Sequence, residues 1–275
     1  MNDNQLRKKM KIKDLIKSLL GNKLPANHPN QIVSFENMML DLNPSEIDGK
    51  RKTHEEWIDY WNNIDDGRVF ASMPQLYLAF KQLKYILEHN PRKEKQYAKQ
   101  VVESLRKDFN WGDRSLLLTS TKTIYLGAIE DSIIIHNYGC KNPSLIKKID
   151  VKIPVYNGIP IEYVAKNVKG LNYIQSLFNT EDGLETIMQT LELISNRKRN
   201  NIRIFTTPIG SFKGSLVGRG DCHSIGREDF HMGWSSFDYT FDDLRIYDDL
   251  NLRGTCGPSR GVRLINAAML EKKEY

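Results

Sequence analysis

At Trp111-Gly112-Asp113 the hydrophobic pattern changes period. Before this point apolar residues recur every three or four positions; after it they gather in short runs rich in Leu, Ile, Thr and Tyr. A helical pattern followed by an extended one predicts an α+β protein, with a mostly helical N-terminal region over 1–110 and a mixed domain over 111–275. Leu6, Met10, Ile12, Leu15, Ile16, Leu19 and Leu20 outline an amphipathic helix that Gly21 stops. A second apolar stretch, Ile32 to Leu42, ends before Pro44. Thr53 with Glu56 is a capping-box pattern for a helix over His54 to Asn63. Ser72 and Pro74 open the next helix as N-cap and first-turn residue. Lys93 to Phe109 carries one more, with Tyr97, Val101, Val102, Leu105 and Phe109 along one side.

In the second half, Leu116 to Ile124 and Ser132 to Tyr138 read as a β-hairpin around Gly127 to Asp131, and Val151 to Val155 as a short strand. Gly170 to Phe178 and Asp182 to Ser195 are helical in pattern, and Arg197-Lys198-Arg199 suits the negative end of the second helix dipole. Ile202 to Phe205 follows as a strand.

Composition narrows the class. The 275 residues include 40 Lys+Arg, 34 Asp+Glu and three Cys. That length buries one large core or two smaller ones, and the balance of apolar and charged residues excludes collagen-like and wholly disordered chains. No apolar run approaches the roughly 18 residues needed to span a bilayer. Lys and Asp interrupt every apolar run near the N-terminus, so no secretory signal is expected there and the cytoplasm is the default, with a virion as the other location considered. Three widely spaced Cys suit a reducing compartment. The net charge of +6 comes from helical segments that flank an acidic block over 24–66 and forms no continuous basic stripe. A solvated helical surface explains it more simply than nucleic-acid binding.

The composition shifts again after Pro208. Lys213 is the single Lys between Arg199 and Glu271, whereas Arg219, Arg227, Arg245, Arg253, Arg260 and Arg263 all lie there. Glu228 is the single Glu from Leu193 to Leu270, beside seven Asp from Asp221 to Asp249. Gly, Ser and the aromatics Phe230, Trp234, Phe237, Tyr239, Phe241 and Tyr247 are interspersed. Arg and aromatic residues with little Lys or Glu distinguish binding surfaces from ordinary ones. Buried charges need partners, so the Asp and Arg residues are expected at the surface, while about half of the aromatics fit a core equally well.

Catalytic patterns are weaker. Cys222, His223, His231 and Cys256 do not have the spacing of a zinc site, and the Asp residues lack the order of a calcium loop. A Cys-His nucleophile pair would need Cys222 or Cys256 beside His136, His223 or His231. No phosphate-binding loop, nucleophile elbow or H-E-x-x-H is present. No enzyme, metal or cofactor is expected.

Gly257-Pro258-Ser259-Arg260-Gly261-Val262-Arg263 resembles the closing S-R-G-V-R strand of variable proteins from diversity-generating retroelements, particularly those of small archaea and their viruses. Met73-Pro74 with Tyr77, Ser120-Thr121, Ile135-His136-Asn137-Tyr138-Gly139, the two later helices and Arg203-Ile204-Phe205-Thr206-Thr207-Pro208 follow in the same order, so the resemblance covers about residues 70 to 265. It implies a C-type-lectin-like fold of the kind that formylglycine-generating enzymes share. It also implies a non-catalytic, ligand-binding role, with a diversified segment over about 215–256 and Arg260 to Arg263 as a fixed inner strand. On that reading Asp221, His223, His231, Trp234, Ser235, Phe237, Tyr239, Arg245, Tyr247 and Asn251 are the contact candidates, for a protein or other surface ligand. The rivals are a metal- or thiol-dependent enzyme on the same scaffold and a basic nucleic-acid-binding protein that uses the N-terminal helices. Ligand identity and oligomeric state are not legible at this level.

Overall fold

The computed structural model describes residues 32–35, 38–41, 52–65, 67–109, 114–125, 131–152, 155–156, 159–160, 170–196, 202–204, 220–228, 244–249 and 259–264. The fold is α+β: the described residues form five helices and two main sheets, with the larger sheet built largely from antiparallel pairs. The amphipathic segment from Leu6 to Leu20 lies outside the described residues, as do Gly127, Arg197-Lys198-Arg199 and most of 205–256.

The stretch Ile32 to Leu42 forms a hairpin, β1 (Ile32–Phe35) and β2 (Met38–Asp41), so the region before residue 110 contributes strands as well as helices. Helix α1 (His54–Asn63) begins at the expected capping box: the Thr53 backbone N–H donates to Glu56 Oε2 at 2.7 Å, and the Glu56 N–H donates to Thr53 Oγ1 at 3.3 Å. These bonds, the backbone one first, hold the Glu56 carboxyl below the usual glutamate range. After β3 (Arg68–Phe70), helix α2 (Met73–His89) starts at Ser72 with Pro74 in its first turn; the Ser72 N–H donates to Gln75 Oε1 at 2.8 Å. Helix α3 (Arg92–Phe109) buries Ala98, Val101, Val102 and Leu105.

The expected hairpin is β4 (Arg114–Tyr125) with β5 (Asp131–His136), followed by a 3-10 turn, β6 (Lys147–Lys152), and the short pair β7 (Val155–Tyr156) and β8 (Ile159–Pro160). Helices α4 (Leu171–Phe178) and α5 (Leu184–Ser195) end at Asn179 and Asn196, both left-handed at φ 46° and 57°. Asn tolerates that conformation better than most side chains because its short amide bonds locally. Then come β9 (Ile202–Ile204), β10 (Gly220–Glu228), β11 (Leu244–Asp249) and β12 (Gly261–Leu264).

The larger sheet runs β6-β5-β4-β10-β11-β9, with β9 and β11 parallel, and the smaller runs β1-β2-β12-β3. Gly261–Leu264 is thus an interior strand between β2 and β3, early elements joined through a late one. One large core gathers α2 to α5 with Leu117, Ile134, Val151, Ile202 and Val262. A second, smaller core sets Trp57 and Trp61 of α1 against Phe70 and Leu118. Among the described residues no helix is long and apolar enough to cross a membrane.

Candidate functional site

The two sheets meet along a polar seam. The Ala71 N–H donates to the Arg260 carbonyl at 2.9 Å, the Ser120 N–H to the Ala71 carbonyl at 2.9 Å, and the Tyr138 N–H to the Ser120 carbonyl at 2.7 Å. Four chain segments are joined in one row of backbone bonds. The Ser120 hydroxyl adds a bond to the Phe70 carbonyl at 2.7 Å, and Trp61 Nε1 donates to Ser259 Oγ at 2.9 Å.

Thr121 lies one residue further into the helical core. Its Oγ1 accepts from the Met73 N–H at 2.9 Å and lies 3.1 Å from His136 Nδ1, while His136 Nε2 lies 3.0 Å from the Ser176 carbonyl. A carbonyl can only accept, so Nε2 carries a proton; in the neutral ring Nδ1 then accepts from the Thr121 hydroxyl. Both ring nitrogens are committed to α4 and β4, and His136 ties these elements together at 2% exposure. Arg260 corrects an expectation. It is fully buried, its Nη2 donating to Ser104 Oγ at 3.0 Å, although the late Arg residues were expected at the surface. Burial is tolerable because the guanidinium finds acceptors inside.

These same residues, Ser120-Thr121, His136 and Arg260, carried the resemblance in sequence, and they meet in space as a frame. Nearby, Lys122 Nζ stands 4.2 Å from the centre of the Tyr138 ring. Among the described residues no three His, Cys, Asp or Glu side chains gather where they could hold a metal.

The described strands of the late, Lys-poor segment are placed by register. Strand β10 lies between β4 and β11, pairing antiparallel with each. Between Cys222 and Ser224 its partner on β4 jumps from Lys122 to Leu118, so Thr119, Ser120 and Thr121 together face one residue of β10. This bulge is where β4 turns its Ser120 groups toward Ala71 and Tyr138. Residues directly opposite share a face of a sheet. Ile225 and Ile246 stand in line with Leu117, which is buried in the large core, so that row belongs to the helix-covered face. Ser224 with Tyr247, and Gly226 with Arg245, belong to the other face, together with Lys122 and with Leu118, which is buried against Trp57 and Trp61 of α1.

Four of the contact candidates fall on these strands, and the register divides them. Arg245 and Tyr247 lie on the face opposite the large core. Asp221, opposite the buried Thr123, and His223, opposite Asp248, lie on the helix-covered face. His231, Trp234, Ser235, Phe237, Tyr239 and Asn251 lie outside the described residues, as does Cys256. No family model, curated protein or solved structure matches the chain. Sequence reasoning gave no site role to Ser104, whose hydroxyl accepts from Arg260, or to Arg203, which β9 sets in register with Arg245. The Ile202-Arg203-Ile204 alternation was the available signal for the second.

Proposed function

We propose that this protein is a non-catalytic ligand-recognition module with a C-type-lectin-like arrangement, whose late, Lys-poor segment is diversified by a retroelement while the seam stays fixed. The observation that carries the reading is the register of β10 and β11, which sets Arg245 and Tyr247 on the face opposite the large core. Side chains on such a face contribute little to the large core, so their identity can change at small cost in stability. The seam supports the same division of labour. Its hydroxyls, imidazole and buried guanidinium are engaged in holding elements together, which provides the rigid mount that a variable surface needs.

A substitution library tests it. Every residue type is placed at Arg245 and Tyr247 and, in parallel, at Ile225 and Ile246, and the folded fraction is read by protease resistance. Broad tolerance in the first set with apolar-only survival in the second is expected; equal intolerance in both would count against a recognition face. For the retroelement, the gene should lie beside a reverse transcriptase and a near-repeat of its late coding sequence that differs at adenines. A locus with neither feature sinks the diversification part.

A further inference from the structure

We draw no further inference here: the strongest candidate, the outer stripe of α2 on which Leu78 and Tyr85 stand exposed along one line of the helix, is a narrow apolar face, and nothing in the structure shows what covers it.

Discussion

Thr121 holds three elements through one hydroxyl, accepting from the start of α2 and donating to His136, which in turn bonds α4. Thr121→Val keeps the volume and removes the hydroxyl, leaving a buried N–H and a ring nitrogen without that partner. The loss should be about 1–3 kcal/mol, read from urea unfolding. Gly139 is constrained differently. Its φ is 72°, and a Cβ there would stand 2.7 Å from Ile58 Cγ2. Gly139→Ala should cost about 1–3 kcal/mol from the backbone alone. Adding Ile58→Ala should recover only the contact part, so a double-mutant cycle separates the clash from the strain. Neither residue stood out for these roles in the sequence, because both depend on neighbours far along the chain.

At the scale of elements, helix starts were the most legible feature. Thr53 with Glu56, and Ser72 with Pro74, are local signals whose physics is complete within one turn. The β4–β5 hairpin was legible for the same reason, since its two runs adjoin in sequence. The β1–β2 hairpin had an apolar signature with no decisive period, and its pairing with β12 comes from the far end of the chain. Between helices, Asp182 at the entry to α5 accepts from Tyr77 Oη at 2.9 Å and from Lys81 Nζ at 2.7 Å. Burial alone would raise the Asp182 carboxyl, but the bonds from Lys81 and Tyr77 outweigh it and hold it below the usual aspartate value of 3.8. Burial, reinforced by Asp182, pushes the Tyr77 hydroxyl well above its ordinary range. A depressed folded-state carboxyl contributes stability above its unfolded value and loses it as pH falls through the folded one. The parent should therefore exceed Asp182→Asn in stability at neutral pH. That advantage should fade as the medium is acidified from about pH 5 downward, as urea titrations at successive pH values would show.

For the whole molecule, β12 decides whether the smaller sheet exists, because β2 and β3 pair with β12 and not with each other. Arg260, just before it, adds the first bond of the seam. Truncation before residue 257 should abolish cooperative thermal unfolding, followed by far-UV circular dichroism, whereas Arg260→Ala in the full chain should cost about 3–5 kcal/mol and keep a single transition. The late segment stands out in the sequence through its change of composition. Its division into faces does not, because a strand's register is set by partners and a one-residue slip exchanges every side chain between faces. Arg203 illustrates this: its neighbour on β11 lies in another stretch of sequence, joined by a parallel pairing that no local turn announces.

The backbone row from Arg260 through Ala71 and Ser120 to Tyr138 also sets a timetable. A ribosome releases Tyr138 long before it makes Arg260, so the emerging polypeptide must wait with β3 and one edge of β2 unpaired until β12 slots between them. Such a keystone arrangement delays assembly until the late strand is made and leaves the waiting intermediate dependent on whatever holds nascent chains apart.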